Sequence, residues 1–455
     1  MLGKGSVRSV GRKPTRLAWA AFLSTVESRF AGAVRVWARR KPAHGVSGPG
    51  CRECLPALTV LGLLASAAVN CQPVAIPQTA DRVATSRPRA EILCPVPPRL
   101  WPTQVILAIL RADRETQSAS VPIDRSVREC AAVLMPPPKN LSDVSIAWPE
   151  GTRAETGWQS VKVESGGAAA VCQAQAPAGS NVAVSLPPTL TAGDGSVPML
   201  YLLAASSLKL DLACEARETA YPGFMTVRAA LTEREPVLGA EVSAVVYRPD
   251  GSRLPLAMND LGVAGDEKAL DGVYTGVFAL YAGDGTYTFQ VTATGTKAGA
   301  PPAPTQPVAP PFADYGGQPA SELAPFRREA LCDSRLVGWS PRDRVPPGPI
   351  TVLQQAPSAA GRVRLEWLAS GDNAYAGAAA AYEIRVAGSS IRTAEDWSAA
   401  RLVARVKGGV AAGQWVHAEV DTAKLQLPAF ISVVAFDEAG NASVPARAHL
   451  YIREP

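Results

Sequence analysis

The residues best suited to chemistry lie in an acidic loop between two strand-like runs. Asp260, Asp266 and Asp271 fall close together, next to glycines that permit tight turns. Calcium takes about six to eight oxygen ligands, and three carboxylates with nearby carbonyls could supply several of them. The same carboxylates could instead accept hydrogen bonds from the local backbone and hold a structural turn. The sequence therefore predicts either a calcium site or an Asp-stabilised turn here, and calcium is the one cofactor that it suggests.

No catalytic arrangement accompanies the acidic loop. The chain contains three histidines, His44, His417 and His449, which are far apart in the sequence, whereas most nucleophilic triads need a histidine as the base. His417 alternates with Trp415 and Glu419 in a strand-like run, a pattern typical of a sheet surface. The sequence also lacks a Walker loop and a dinucleotide fingerprint. We therefore expect a protein that is not an enzyme.

The acidic loop belongs to the first of two predicted β-sandwich modules. In residues 222–296, runs such as EVSAVVY alternate apolar and polar residues between turns rich in Asp and Gly. Residues 348–455 repeat this pattern, with Trp367 and Tyr382 as the predicted core aromatics, and Asp372 is assigned to a plain loop. About 100 residues of short strands around a core tryptophan are typical of an immunoglobulin-like sandwich.

The rest of the chain divides by composition. Residues 1–71 form a basic N-terminus with a signal-like hydrophobic segment, and residues 72–140 are Pro-rich and expected to be poorly ordered. Residues 141–215 contain enough alternating runs for a partial β domain, and residues 297–347 are expected to form a Pro-rich linker. We therefore predict a mainly β fold, with two immunoglobulin-like or fibronectin type III-like sandwiches in tandem after a poorly ordered N-terminal region.

The N-terminus suggests export. Residues 1–50 contain ten Lys or Arg and one acid, whereas the rest of the chain has an excess of acids, so we expect no nucleic-acid partner. The uncharged run Leu55–Val69 is too short to span a bilayer but has the length of a secretory signal core, and Ala65-Ser66-Ala67 fits a signal peptidase site. A signal anchor, a start assigned too far upstream, a mitochondrial presequence in residues 1–41 and the absence of any targeting signal stay open. The expected location is extracellular or plasma-membrane associated.

The cysteine count agrees with an exported chain. Of eight cysteines, Cys51 and Cys54 would be lost if a signal were removed after Ala67, and their C-x-x-C spacing has no second pair with which to bind zinc. An even number would remain, which suggests disulfides whose pairing the sequence leaves open. These six residues are Cys71, Cys94, Cys130, Cys172, Cys214 and Cys332.

Two sequons could accept N-linked glycans in a secreted chain. They begin at Asn140 and Asn441, each followed two positions later by serine. For Asn441 the alternative is a tight-turn role beside Gly440.

Several motifs of the two modules occur in a recognisable order. The last module contains RLEWLASGDNAYAGAAAAYEIRVA, then WSAARLV and AFDEAGNAS, and the module before it contains PVLGAEV, RPDG and DGVY. The last module resembles a fibronectin type III domain. The two modules in this order resemble the C-terminal part of the calcium-activated chloride channel regulator family.

This resemblance implies a non-enzymatic protein that modulates a chloride conductance or cell-surface interactions. Its partners would be proteins at the cell surface, such as a chloride channel, and association with the membrane stays open. The zinc-protease motif His-Glu-x-x-His and the Asp-x-Ser-x-Ser adhesion motif usual in that family are absent from this sequence, so neither activity is expected. Two alternatives are an accessory C-terminal region of a secreted metalloprotease-type protein, and a calcium-stabilised structural spacer.

Overall fold

The computed structural model describes most of the chain from Pro95 onwards. The described residues are 95–112, 117–154, 157–163, 167–188, 190–192, 195–295, 316–356, 358–359, 361–421, 425, 428–446 and 450–452. The predictions for the basic N-terminus, the signal-like segment and the Pro-rich run APPAPTQPVAPP lie outside these residues. So do those for Cys51, Cys54, Cys71 and Cys94.

The first of three sandwiches has two sheets packed face to face. One sheet contains β1, β9, β3 and β7, with the short strands β5 and β6 pairing with β7, and the other has the order β2-β8-β4. Apolar side chains from both sheets and their connections meet in a core that includes Leu107, Ile123, Leu134, Leu186 and Leu200. The strands are β1 (Gln104–Arg111), β2 (Gln117–Pro122), β3 (Val127–Met135), β4 (Ser145–Ala147), β5 (Arg153–Ala154), β6 (Gln159–Lys162), β7 (Ala168–Gln175), β8 (Asn181–Leu186) and β9 (Met199–Ser206).

The prediction that residues 72–140 would be poorly ordered is wrong over the described residues 95–140. Strands β1 and β3 lie at the centre of the first sandwich and have mostly buried side chains. The sequence concealed this because the central sheet is apolar on both faces. One face lines the core, and the other packs with Leu100 and Trp101. A strand buried on both faces is a continuous apolar run, which periodicity cannot distinguish from a buried helix.

The second sandwich also uses two sheets. Their orders are β15-β14-β17-β19 and β10-β12-β16, and the large aromatic residues Tyr287 and Phe289 are fully buried between them. The elements are β10 (Lys209–Cys214), β11 (Glu218–Ala220), β12 (Met225–Thr232), β13 (Val237–Leu238), β14 (Glu241–Tyr247), β15 (Arg253–Ala257), β16 (Val273–Phe278), β17 (Gly285–Gly295), β18 (Gln318–Pro319), α1 (Ala320–Leu323) and β19 (Phe326–Val337).

Four strands of the second sandwich, β10, β11, β18 and β19, lie outside the predicted module 222–296, and two of them correct other assignments. Strand β10 was assigned to the partial domain 141–215 but pairs with β12. Strand β19 lies within the predicted linker 297–347 yet pairs with β17 through eleven residue pairs. The linker assignment is therefore wrong for 326–337. The sequence did not reveal this strand because two of its charged residues, Arg328 and Glu329, are buried and interrupt the apolar alternation.

The third sandwich has fibronectin type III topology, as the sequence predicted. Its sheets have the orders β20-β21-β24 and β23-β22-β25-β26, and α2 begins with a capping box formed by Thr393 and Asp396. The elements are β20 (Leu353–Ala356), β21 (Arg362–Leu368), β22 (Ala381–Ala387), α2 (Ala394–Ala399), β23 (Arg401–Lys407), β24 (Trp415–Asp421), β25 (Ala429–Phe436) and β26 (Leu450–Ile452).

Candidate functional site

Asp260, the first acid of the predicted loop, holds backbone amides at the far end of that loop. Its Oδ1 accepts the N–H of Asp271 and its Oδ2 accepts the N–H of Gly272, each at 3.0 Å. The side chain is buried just after β15, and burial raises its pKa to about 7, against the lowering effect of the two amides. Asp260 therefore closes the loop by joining its two ends.

The other two acids of the loop are also engaged by protein donors. Asp266 accepts the N–H of Gly262 at 2.7 Å and the hydroxyl of Thr275 at 3.2 Å, and Asp271 accepts the N–H of Val273 at 3.0 Å. The bond of Asp271 is an Asx bond that fixes a turn, and the two bonds of Asp266 tie the loop to itself and to β16. The arrangement favours the structural interpretation of this loop over the calcium interpretation.

A different acidic group has the proximity that a cation needs. Among the described residues, Asp343, Asp372 and Asp437 form a group of three possible metal ligands, with one carboxylate oxygen of each lying within 4.8 Å of the other two. Asp343 lies in the segment between β19 and β20, Asp372 in the loop between β21 and β22, and Asp437 directly after β25. We call these three residues the acidic triad.

The triad is held in place but is not neutralised. Asp437 accepts the backbone and side-chain N–H groups of Asn441 at 2.7 Å each, and Asp343 accepts the N–H of Val345 at 3.0 Å. Asp372 Oδ2 accepts Nδ2 of Asn373 at 2.8 Å, whereas its Oδ1 is buried without a donor among the described residues.

Several acidic side chains act on one another at the triad. Burial, followed by hydrogen bonding and repulsion from Glu438, raises the pKa of Asp372 to about 7, and Asp343 and Asp437 add to that effect. No salt bridge joins these acids to a Lys or Arg in the part of the chain that the structure describes. Three carboxylates this close together, with no basic side chain among the described residues bonded to them, are suited to a hard cation such as calcium.

The sequence indicated a plain loop at Asp372, and it gave no role to Asp437 beyond its place in the motif AFDEAGNAS. The three triad residues are separated by 29 and 65 positions, so no local spacing could reveal their meeting. The available signal was that Asp372 and Asp437 each follow a buried strand of the same sandwich at the same end.

The predicted sequons differ in accessibility. Asn140 is exposed, and its Oδ1 accepts the hydroxyl of Ser142 at 2.8 Å. Asn441 is half-buried, and its Nδ2 donates to Asp437, as the turn interpretation required. Glycosylation of either residue stays a prediction.

The predicted core aromatics are both fully buried in the third sandwich. Trp367 and Tyr382 meet edge to face, with ring centroids 5.4 Å apart. His417 is exposed on β24, opposite Glu366, as the surface assignment required.

Among the four cysteines that the structure describes, one pair is bonded. Cys214 on β10 and Cys332 on β19 form a disulfide that links the two sheets of the second sandwich. Cys130 and Cys172 form no disulfide and are buried in the first sandwich, where burial raises the pKa of both thiols. These two cysteines therefore act as small apolar side chains.

The fold and the site define a tandem β-sandwich protein of the immunoglobulin-like and fibronectin type III kind. A family model described as "Conditioned medium factor 2nd Ig-like domain" matches residues 225–305, which contain most of the second sandwich. Among solved structures, the chain is similar to the central fibronectin-III array of RIM-binding protein, with a TM-score of 0.25 and 10% identity, covering 76% of this chain and 100% of that one.

The resemblance to the calcium-activated chloride channel regulator family is confirmed. Calcium-activated chloride channel regulator 1 of Mus musculus is 26% identical over 193 residues, covering 38% of this chain and 21% of the relative. Calcium-activated chloride channel regulator 4 of Homo sapiens is 30% identical over 191 residues, covering 37% and 21%. The chain thus matches about a fifth of the length of these curated relatives.

Proposed function

We propose that this chain is a non-enzymatic protein of the extracellular space or cell surface, which holds β-sandwiches in a fixed arrangement and presents their loops to a protein partner. The observation that carries this proposal is the segment between the second and third sandwiches, which is bound on both sides. A flexible linker would let the sandwiches reorient, whereas a bound one gives a partner a single composite surface.

On the side of the second sandwich, two groups hold this segment. The hydroxyl of Tyr221 donates to the carbonyl of Arg342 at 2.7 Å and accepts the N–H of Arg344 at 3.1 Å. Asp284, at a turn before β17, accepts the N–H of Trp339 at 2.7 Å.

On the side of the third sandwich, the same segment pairs with the loop that contains the acidic triad residue Asp372. Gly348 donates to the carbonyl of Ala374 at 2.6 Å, and Ala374 donates to the carbonyl of Pro346 at 3.0 Å. Val345 is buried against Ala374 and Ala279, which belong to the third and second sandwiches. These contacts support a fixed junction.

The location is inferred from the disulfide. Disulfides persist in oxidising compartments and are rare in the cytosol, so the Cys214–Cys332 bond supports export. Among the described residues, we find no helix with the length and apolar character needed to cross a bilayer.

The similar proteins are named calcium-activated chloride channel regulators, which supports a chloride channel, or a protein that controls one, as the partner. The test is whole-cell recording of chloride current from cells to which the purified full chain is added. We expect a changed current with the native protein and none with a reduced and alkylated sample. Unchanged current at saturating protein, together with no binding to the cell surface, would contradict the proposal.

The acidic triad favours a second candidate, a calcium-stabilised spacer. The triad joins the inter-sandwich segment, through Asp343, to two loops of the third sandwich, so a cation there would strengthen the same junction. We expect calcium to raise the melting temperature of the full chain, and D372N to abolish that rise. D333N, which changes an exposed acid of β19, is the matched control.

The original calcium interpretation is tested in the same experiment. If calcium bound the loop at 260–271, D266N would abolish the response and D372N would not. If calcium does not change the melting temperature of the wild-type chain, the hypothesis of a calcium-stabilised spacer is contradicted.

A further inference from the structure

The first and second sandwiches are joined by strand pairing as well as by the connecting chain. Strand β1 of the first pairs with β19 of the second, with Ile106 opposite Glu329, so one sheet continues through both. At this junction Arg328 is fully buried and Glu329 almost so. Charged side chains are rarely buried unless they are paired.

Every N–H group of the Arg328 guanidinium has an acceptor, and most of them belong to the first sandwich or to its exit. Nη1 donates to Asp124 at 2.8 Å, and Nη2 donates to Ser126 at 3.0 Å and Ser206 at 2.8 Å. Nε donates to the carbonyl of Leu208 at 2.9 Å, and Nη1 also donates to the carbonyl of Arg327.

The partner acid is equally well fixed. Asp124 is 3% exposed at its side chain, and its second oxygen accepts both the N–H and the hydroxyl of Ser126. The ion pair joins residues 204 positions apart. It therefore exists only when the two sandwiches are docked.

Glu329 binds the junction from the other side of the strand. Its Oε2 accepts the backbone N–H of Ile109 at 2.8 Å, on β1, and Nε2 of Gln290 at 2.9 Å, on β17. Arg327 donates to Oε1 and balances the charge. One carboxylate thus connects strands of both sandwiches.

A buried ion pair adds little net stability relative to an apolar pair of similar size, but removal of one partner leaves a buried charge uncompensated and is strongly destabilising. The contribution of such a pair is to penalise every other arrangement. When the two sandwiches are docked, Arg328 and Asp124 are paired. When the sandwiches separate or shift, both side chains lose this ion pair.

We propose that Arg328 and Asp124 form an ionic latch that makes the first and second sandwiches one cooperative folding unit with a single relative orientation. The unit runs from β1 to β19. The proposed function needs a fixed arrangement at the junction between the second and third sandwiches, and the latch would provide one at the junction between the first and second. The latch proposal can be wrong without changing the result of the chloride-current test, because that test does not measure unfolding.

The test uses the full chain and four variants: R328M, D124L, the double variant R328M/D124L, and the control R362M. The control removes an exposed ion pair with Glu419. Amide hydrogen exchange compares protection in β1 and β9 with protection in β14 and β17, and calorimetry counts the unfolding transitions.

In the wild-type chain we expect the two sandwiches to open together, with equal protection and one shared transition. R328M and D124L should each speed exchange in β1 and β9 by roughly tenfold or more relative to β14 and β17, and should split the shared transition. The double variant should regain the shared transition, because no buried charge is left unpaired. R362M should match the wild type.

Two results would overturn the latch. One is a wild-type protein whose two sandwiches already unfold independently. The other is a double variant no more cooperative than the single variants, which would mean that lost packing, not an unpaired charge, caused their defect. If R328M fails to fold, the comparison of D124L with the double variant decides the question alone.

Discussion

The disulfide between Cys214 and Cys332 gives a quantitative prediction about the second sandwich. The bond closes a loop with a sequence separation of 118 residues, between two strands that belong to different sheets. In the chain-entropy model, a loop of this length restricts the unfolded chain by about 5 kcal/mol at 25 °C. Removal of the bond should lower the free energy of unfolding by about that amount, less any structure that the unfolded chain retains.

The expected shift in melting temperature follows from the size of the unit. For units of 150–250 residues, about 1 kcal/mol corresponds to ~2–4 °C, so the variant C214A/C332A should melt roughly 10–20 °C lower. Wild-type protein in excess dithiothreitol should behave like the variant.

The assay is differential scanning calorimetry, supported by peptide mapping of the intact bond under non-reducing conditions. The chain contains its own control, because no cysteine follows Cys332 and the transition of the third sandwich should not respond to reductant. If mapping shows the bond present and reduction leaves every transition unchanged, the entropic reasoning is refuted. If mapping finds the two thiols free, the pairing itself is wrong.

Three further predictions concern packing, pH and the acidic loop. Trp367→Ala should destabilise the third sandwich by ~3–5 kcal/mol in urea denaturation, since the side chain is fully buried against Tyr382. The pKa of Asp372 is raised from 3.8 to about 7 in the folded chain, so the unfolded chain ionises first, and the stability of the third sandwich should fall as pH rises from about 4 to 7. The loss in free energy of unfolding over this pH range is at most ~4 kcal/mol, and solvent screening of this half-buried group reduces it to ~1–2 kcal/mol. Calorimetry in the presence of a chelator should show this pH dependence, and D372N should remove it. Gly265→Ala should destabilise the second sandwich in thermal melts, because φ is +94° and a Cβ would lie 2.4 Å from Val277; an unchanged melting temperature would contradict the assigned backbone.

The acidic loop shows how a correct local pattern can support two functions. The Asp and Gly spacing correctly indicated a turn-rich segment between strands, and it is equally suited to calcium or to Asx bonds. The choice depends on where each carboxylate points. Asp260 and Asp266 point toward amides and a hydroxyl of the same sandwich, which no spacing rule could establish.

The sequence alone determined the strands that have one buried face, because alternation with a period of two is a local property. Val242, Ala244 and Val246 on β14 and Trp367 on β21 were therefore predictable as core positions. Tertiary structure decided the strands that break this pattern. Strand β9 is buried throughout and apolar from Met199 to Ala205 because both of its faces are covered, and β19 has buried charges that find partners across a junction. It also decided the pairing of Cys214 with Cys332 and the meeting of Asp343, Asp372 and Asp437, since each depends on contacts between residues far apart in the chain.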